Sequence, residues 1–225
     1  MSSELDDRWR WKLRLFASAD LVGSTAYKAS NPVHGRSSGA QAPDWASAFH
    51  EFFEFFPQSV QDQYEKLPDH PPLCPKVSSF FEPWKFLGDE ILFSVELKRH
   101  EDAATHILAF KQALREFPQT MHGKGLPLKL KGTAWVAGFP VTNREVQHFT
   151  RDGAVIHDFI GPSIDLGFRL TKLSDERKFV LSADLVLMLL DGVDAVEWQT
   201  KHFYLVLHGR EVLKGVIRDK PYVLV

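Results

Sequence analysis

The sequence has few of the features that mark secreted or membrane-spanning proteins. Cys74 is its only cysteine, so an internal disulfide is excluded and a reducing compartment is expected. The most apolar window, residues 179–190, is too short to span a bilayer and contains Asp184. The first seven residues are acidic and lack the apolar stretch of a signal peptide. We therefore expect a cytoplasmic protein that does not enter a membrane.

An excess of charge of one sign is also absent. The formal net charge is −2, so the molecule offers no basic field for a nucleic acid backbone, and no nucleic acid partner is expected. The ten histidines show no H-E-x-x-H spacing, and the sequence contains neither a Walker loop nor a Gly-x-Ser-x-Gly elbow. These absences argue against a zinc protease, a P-loop enzyme and a serine hydrolase. The sequence has no internal repeat and no low-complexity tract.

Length and composition fit one domain that covers residues 1–225. Hydrophobic residues make up 44% of the chain and include 18 Phe and 6 Trp, which predicts a large core with bulky aromatic packing. We expect the motif-bearing core at about 11–181, followed by an extension of sheet and helix at 182–225.

Hydrophobic patterns predict alternating strands and helices. Strands are expected at 11–19, 77–87, 91–97 and 128–137, and helices at 44–64, at 101–117, from 161–162 onward and at 185–190. The segment 138–157 is expected to be irregular. The order of strand, helix, hairpin, helix and strand predicts an α+β fold with a ferredoxin-like βαββαβ core, in which helices cover one face of an antiparallel sheet.

Three short segments carry the candidate chemistry. Residues 16–25 (FASADLVGST) place Asp20 at a strand end, before a small-residue turn whose backbone amides could face phosphate. Residues 85–90 (KFLGDE) place Asp89 at a hairpin tip, and residues 158–169 (DFIGPSIDLGFR) open a helix. Taken singly, these acidic residues are typical of ordinary turns and helix caps.

In this order, the three segments resemble the class III adenylate/guanylate cyclase catalytic domain. That family has F-x-D-x-x-G-S/F-T in the first segment, K-x-x-G-D in the second and D-x-x-G-x-x-x-N in the third, with an arginine four residues after the asparagine. The resemblance extends from about residue 13 to residue 180 and agrees with the predicted βαββαβ order. It implies an enzyme, a phosphorus–oxygen lyase that closes a nucleoside triphosphate into a 3′,5′-cyclic monophosphate.

The resemblance also implies a metal centre. Asp20, Asp89 and the backbone carbonyl of Leu21 would hold two divalent cations, and oxygen-only ligands favour Mg²⁺ or Mn²⁺. The cations would activate the ribose 3′-hydroxyl and neutralise charge on the departing pyrophosphate.

Substrate contacts in this family come from both subunits of a head-to-tail homodimer. Lys85, Asp158 and Arg169 would face the two metal-binding carboxylates from the partner, with Arg169 stabilising charge on the α-phosphate. The turn formed by Gly23, Ser24 and Thr25 would contact phosphate. Phe16, on the same strand face as Asp20, is expected either beside the nucleotide or in the core.

One position departs from the family. Asp165, seven residues after Asp158, occupies the place of the asparagine that orients the ribose. A carboxylate accepts hydrogen bonds from ribose hydroxyls but cannot donate one. Asp165 also lies four residues before Arg169, so a helical ion pair is an alternative to a catalytic role for both.

The choice of nucleotide depends on a finer resemblance. Residues 132–143 (GTAWVAGFPVTN), together with Asp165 and the length of the chain, resemble the pyrimidine cyclases of bacterial Pycsar antiphage defence. That resemblance implies cyclic UMP, or else cyclic CMP, made in response to infection and acting on a separate effector that responds to the cyclic nucleotide. Bulky Phe and Trp residues near the site would favour the smaller ring. Lys85 and Asp158 also match purine-reading positions, so an adenylate or guanylate cyclase remains an alternative.

Two further alternatives come from other functional classes. A catalytically silent cyclase-like module that binds a nucleotide would explain Asp165, but two retained carboxylates argue against it. An RNA-binding ferredoxin-like domain would share the βαββαβ order. It would also require exposed aromatics on a basic sheet, which the charge balance does not support.

Overall fold

The computed structural model describes residues 10–30, 44–67, 76–126, 128–191, 205–207, 209–216 and 221–224. A five-stranded sheet has the spatial order β2-β3-β1-β4-β7. Its strands are β1 (Lys12–Leu21), β2 (Glu82–Leu87), β3 (Glu90–Leu97), β4 (Leu130–Phe139) and β7 (Phe179–Leu181). Neighbouring strands among β2, β3, β1 and β4 are antiparallel, and β7 pairs with β4 in parallel. The predicted α+β fold with an antiparallel sheet is confirmed.

Five helices accompany the sheet in the described part of the chain. They are α1 (Ser24–Ser30), α2 (Asp44–Lys66), α3 (Asp102–Gly123), α4 (Pro162–Leu170) and α5 (Ala183–Asp191). Pro57 lies inside α2 without ending it, and Pro162 begins α4, where its missing N–H costs no hydrogen bond. The short helix α1 was not predicted, because seven residues are too few for a clear apolar stripe.

Alternation along β1 divides the apolar side chains between two cores. Leu15, Ala17 and Ala19 face α2 and α3. Buried Phe56, Phe93 and Phe110 meet edge to face in this core, and Phe52 packs against Phe56 at a tilt of 36°. Burial of each such ring stabilises the fold by roughly 1.5–3 kcal/mol. This aromatic core holds the strands in the register that positions the site described below.

The opposite face of the sheet carries a second aromatic core. It contains Phe16, Trp135 and Phe159, with Trp84 and Phe168 packed against them. Gly167 on α4 is required here, because an added Cβ would overlap the indole of Trp135. Helix α4 is therefore seated directly on β4.

The segment 138–157, expected to be irregular, instead forms most of a hairpin. β5 (Arg144–Phe149) pairs with β6 (Val155–Ile160) in a separate two-stranded sheet. All six residues of β5 are exposed, so neither face of the strand shows the alternation that marks a half-buried strand. The sequence prediction was wrong because this hairpin extends away from its own core.

The last part of the chain supplies α5 and a small hairpin of β8 (Gly209–Val212) and β9 (Pro221–Leu224). Leu213, Val216 and Tyr222 from this region pack with Leu166 and Leu170 of α4 in a third cluster. The Tyr222 hydroxyl accepts a hydrogen bond from the Ala183 N–H at 2.8 Å. In the described part of the chain, no helix combines the length and apolarity that crossing a membrane requires.

Candidate active site

Asp20 and Asp89, which are 69 residues apart in sequence, lie at the same end of the sheet. Antiparallel pairing of β1 with β3 places Asp20 opposite Glu90, so Asp89 of the β2–β3 turn is adjacent. The Leu21 N–H donates to the Asp89 carbonyl at 3.2 Å and fixes the turn against β1. Both carboxylates line one cavity of about 340 Å³, within the usual range for small-molecule sites. The structure brings the two predicted metal ligands together.

The small-residue turn after Asp20 forms one wall of this cavity. Val22, Gly23, Ser24 and Thr25 all line it, together with Leu21. Gly23 has φ +74°, a left-handed conformation that glycine adopts without strain and that lets the chain turn directly into α1. The Ser24 hydroxyl donates a hydrogen bond to the Asp89 carboxylate, and this contact ties the two predicted segments together.

A row of three charged side chains crosses the sheet at this end. Asp20 on β1 lies between Glu90 on β3 and Lys131 on β4, and the Lys131 Nζ contacts the Asp20 carboxylate at 2.9 Å. Burial raises the pKa of Asp20 above its ordinary value. The hydrogen bond from Lys131 lowers this pKa in part, and the nearby charge of Asp89 raises it further. Burial likewise raises the pKa of Glu90, whose carboxylate accepts a hydrogen bond from Ser18. Among the described residues that line the cavity, Lys131 is the only lysine beside the carboxylates of Asp20, Asp89 and Asp175.

The donor set suits a hard divalent cation. Two carboxylates and a strand-end carbonyl provide oxygen ligands only, as Mg²⁺ and Mn²⁺ prefer. Within the described ranges, no three His, Cys, Asp or Glu side chains come close enough to form a complete protein cage. Phosphate oxygens and water would therefore have to supply the remaining ligands, which is how Mg²⁺ is usually held beside a nucleotide.

The predicted base-contact residues form a second group outside this cavity. The Lys85 Nζ contacts the Asp158 carboxylate at 2.7 Å, and each side chain is a little over one-third exposed. A register shift between Pro83 and Lys85 in β2 redirects the lysine, as bulges commonly do. The Lys85 ammonium also lies 5.0 Å from the centre of the Trp84 ring, so the pair is held against the second aromatic core.

Phe16 lies in the second aromatic core of its own protomer. Its side chain is fully buried and lies 5.2–5.5 Å, centre to centre, from the rings of Trp84, Trp135 and Phe159. The alternative of a core position is therefore the right one. Trp135 is fully buried as well. It therefore packs in the core and does not narrow an open base pocket, so it gives no support to the expected preference for a smaller base.

Asp165 and Arg169 both lie on α4 with exposed side chains. Among the described residues they do not form the helical ion pair that their spacing allows, so both remain available to solvent or a ligand. Asn143 positions this helix, because its side chain accepts a hydrogen bond from the Ser163 N–H at 3.0 Å and donates to the Gly138 carbonyl at 2.9 Å. At Gly161 an added Cβ would meet the Asn143 backbone, so glycine is required at the start of the helix.

Sequence reasoning missed Lys131, Ser174 and Asp175, which also line the cavity. None belongs to a local motif. Lys131 could be found only by fixing the β1–β4 register, which places it directly opposite Asp20. Ser174 and Asp175 follow α4 in sequence and reach the cavity through the tertiary fold alone.

No protein-family model and no curated protein sequence matches the chain. Several solved structures, however, are similar to this chain in fold. The adenylyl cyclase CyaB from P. aeruginosa is 14% identical, with a TM-score of 0.63 over 96% of this chain and 93% of that one. The guanylate cyclase domain of RhGC from Catenaria anguillulae, in complex with GTP, is 10% identical, with a TM-score of 0.60 over 96% and 95%.

A class III adenylyl cyclase-like ATP-binding protein from Pseudomonas aeruginosa is also similar, with 12% identity and a TM-score of 0.50 over 76% of this chain and 33% of that one. Sequence identities this low establish architecture rather than activity. The chain has the fold of the class III nucleotidyl cyclase catalytic domain.

Proposed function

We propose that the protein is a metal-dependent nucleotidyl cyclase, which converts a nucleoside triphosphate into its 3′,5′-cyclic monophosphate and pyrophosphate. The observation that carries the proposal is the meeting of Asp20 and Asp89 in one cavity beside the turn 22–25. Two half-buried carboxylates would repel a triphosphate unless cations lie between them. Two Mn²⁺ or Mg²⁺ ions, when bound, activate the ribose 3′-hydroxyl and neutralise the leaving pyrophosphate.

The residues of the chain have distinct tasks in this reaction. Asp20, Asp89 and the Leu21 carbonyl would hold the cations, and Gly23, Ser24 and Thr25 would face the phosphates. A cation held by Asp20 would compete with the Lys131 ammonium for the same carboxylate oxygen atoms. Because Lys131 lines the same cavity, its ammonium would also be available to balance phosphate charge.

The active site is completed in a head-to-tail homodimer. Lys85, Asp158 and Arg169 do not line the cavity of their own protomer, so they would serve the cavity of the partner. The β5–β6 hairpin supports this assembly. Its exposed apolar side chains are 41–65% accessible, an unusual density for a solvated hairpin: Val146, Phe149, Val155, Ile156 and Ile160.

Arg169 would stabilise the charge that develops on the α-phosphate, and the neighbouring Asp165 would accept hydrogen bonds from the ribose hydroxyls. Both side chains are exposed on α4, as groups that reach across to a partner must be. The absence of an ion pair between them, within the described residues, leaves each available for substrate.

For the base, we propose a pyrimidine, with UTP preferred over CTP. The Lys85–Asp158 pair offers one hydrogen-bond donor beside one acceptor. All four bases carry an adjacent acceptor and donor on their pairing edge, so this pair does not distinguish between them. The choice between bases therefore rests on the resemblance of residues 132–143 to pyrimidine cyclases. On that resemblance, the cyclic product serves as a second messenger in antiphage defence in the cytoplasm and acts on a separate effector that responds to cyclic nucleotides.

A catalytically silent nucleotide-binding module is the second candidate. The Lys131–Asp20 ion pair favours it, since a lysine that stays on the carboxylate would keep a cation away. The cyclase-like protein from Pseudomonas aeruginosa described above is itself named as an ATP-binding protein and not as a cyclase. An ordinary adenylate or guanylate cyclase is the third candidate, and the same assay separates all three.

The test incubates the purified protein with Mn²⁺ and each of ATP, GTP, CTP and UTP, and identifies the products by mass. Cyclic UMP, or cyclic CMP, is the expected product, and Asp20→Ala should abolish it without unfolding the protein. A cyclic purine alone would refute the pyrimidine assignment and leave the mechanism standing. Nucleotide binding without any cyclic product would favour the silent module.

A further inference from the structure

A second, larger cavity lies beside the candidate active site. It is a groove of about 680 Å³ between the end of α2, helix α3 and the segment 175–179. It shares Lys131 and Asp175 with the active-site cavity, and the rest of its lining is separate. We call it the α2–α3 groove.

The α2–α3 groove carries uncompensated positive charge. Each acidic side chain that lines it is already paired with a lysine: Glu116 with Lys66 at 3.1 Å, Glu176 with Lys129 at 2.7 Å and Asp175 with Lys178 at 3.2 Å. Arg115 and Arg177 have no acidic partner among the described residues. Lys111 lies one helical turn before Arg115, and its pKa is lowered by burial and by the charge of that arginine.

A buried hydrogen-bond acceptor in the same groove lacks a partner. Gln63 lines the groove and is only 2% exposed. Its Nε2 donates to the Glu116 carboxylate at 3.1 Å, which fixes the amide orientation, and its Oε1 has no hydrogen bond within the described structure. An unsatisfied buried acceptor costs roughly as much as a lost hydrogen bond, so a ligand that donates an N–H or O–H there is favoured.

The remaining lining of the groove is apolar. Leu108, Leu114 and Phe179 are partly buried and leave an apolar wall open to the groove. A ring-bearing ligand gains by covering such a wall, and cavities of several hundred Å³ are typical of small-molecule sites.

We infer that the α2–α3 groove binds a nucleoside monophosphate. Arg115 and Arg177 hold the phosphate, Gln63 accepts a hydrogen bond from the base or ribose, and the ring covers Leu114 and Phe179. A bare phosphate or pyrophosphate held by the two arginines satisfies the cations, but it has neither a ring to cover the apolar wall nor a base N–H or ribose O–H to reach Gln63. Because the site needs neither the metal centre nor turnover, it stands independently of the cyclase proposal.

Binding is tested by isothermal titration of the full-length protein in EDTA, which removes any route through bound metal. The probes are CMP, UMP and AMP as 5′-monophosphates, with pyrophosphate as the ring-free comparison. The variants are Arg115→Glu/Arg177→Glu, which alters only exposed side chains, and Gln63→Leu. Arg10→Glu, an exposed charge reversal at the far end of β1, is the matched control, and Arg169→Ala reports on the candidate active site.

The double charge reversal should weaken every probe by about tenfold or more, as expected when charge-assisted contacts to phosphate are lost. Gln63→Leu should weaken the nucleotides and leave pyrophosphate unchanged, while Arg10→Glu and Arg169→Ala bind like the wild type. The inference is overturned if no probe binds at millimolar concentration, or if the double reversal binds nucleotides like the wild type. Loss of binding in Arg169→Ala alone would assign the ligand to the active site and overturn it equally. Tighter binding of pyrophosphate than of any nucleotide would also reject it.

Discussion

Removal of the Lys131 ammonium tests how the acidic cavity is held in the absence of metal. Its Nζ lies 2.9 Å from the Asp20 carboxylate, and the two side chains are only 24% and 20% exposed. At an effective dielectric constant of about 20, the gross attraction is about 6 kcal/mol, most of which the loss of hydration offsets. We expect Lys131→Met to lower the free energy of unfolding by about 1–3 kcal/mol, the usual cost of unpairing a partly buried charged hydrogen bond.

Saturating Mn²⁺ should reduce the stability difference between Lys131→Met and the wild type. On the proposed function, a cation would have to compete with Lys131 for Asp20 in the wild type, whereas in Lys131→Met the carboxylate would be available. If the variant binds Mn²⁺ tenfold more tightly, saturating Mn²⁺ adds about 1.4 kcal/mol more stability to it than to the wild type. The assay is urea unfolding at pH 7 in EDTA and again with Mn²⁺.

Lys129→Met is the matched control, because Lys129 makes a more exposed ion pair with Glu176 at 2.7 Å, with side chains 63% and 37% accessible. It should cost less than about 1 kcal/mol and leave the manganese effect unchanged. The reasoning is refuted if Mn²⁺ stabilises Lys131→Met no more than the wild type. It is refuted equally if the two lysine variants behave alike.

Three other predictions follow from packing, titration and assembly. Gly167→Ala would drive a Cβ into the indole of Trp135 and should destabilise the fold by about 1–3 kcal/mol in denaturant unfolding, whereas Gly138→Ala, where an added Cβ meets nothing, should be near neutral. Burial lowers the pKa of His106 from 6.5 to about 4, so the stability that the neutral imidazole contributes is intact above pH 6.5 and is lost as the pH falls toward 4. Urea unfolding should show a loss of about 3 kcal/mol over this pH range, and His106→Gln should remove that loss. A variant whose stability falls as steeply with pH as that of the wild type would contradict this. Phe149→Glu, at a position 65% exposed on the β5–β6 hairpin, should yield monomers in light scattering with loss of turnover, and an active dimer would reject the hairpin as the contact.

The sheet and its main helices were predictable because their side chains repeat with clear periods. Alternation in β1 and the apolar stripe of α2 each have one face buried against the same core, so local pattern and tertiary burial agree. The convergence of Asp20 and Asp89 followed from the order of the motifs, and the cavity that they share agrees with it.

What the sequence could not provide depends on register or on surfaces that face outward. Lys131 is a functional candidate only because β4 pairs with β1 in a register that sets it opposite Asp20. The β5–β6 hairpin has no buried face in its own protomer, so no hydrophobic period marks it. Phe16 shares the strand face of Asp20 but lies four residues earlier, beneath the second aromatic core, and only the packing of Trp84 and Phe159 over it reveals its burial.

The most direct measurement of the central claim is complementation between two inactive variants. Asp20→Ala disables the metal-binding half of each site and Arg169→Ala disables the half donated by the partner, so each homodimer should make no cyclic nucleotide. Co-expressed, about half of the dimers pair one variant with the other and hold one intact site, so turnover should return to about a quarter of the wild-type value. Mixed dimers that form but make no cyclic product would contradict the shared site. Either variant that retains full turnover on its own would do so as well.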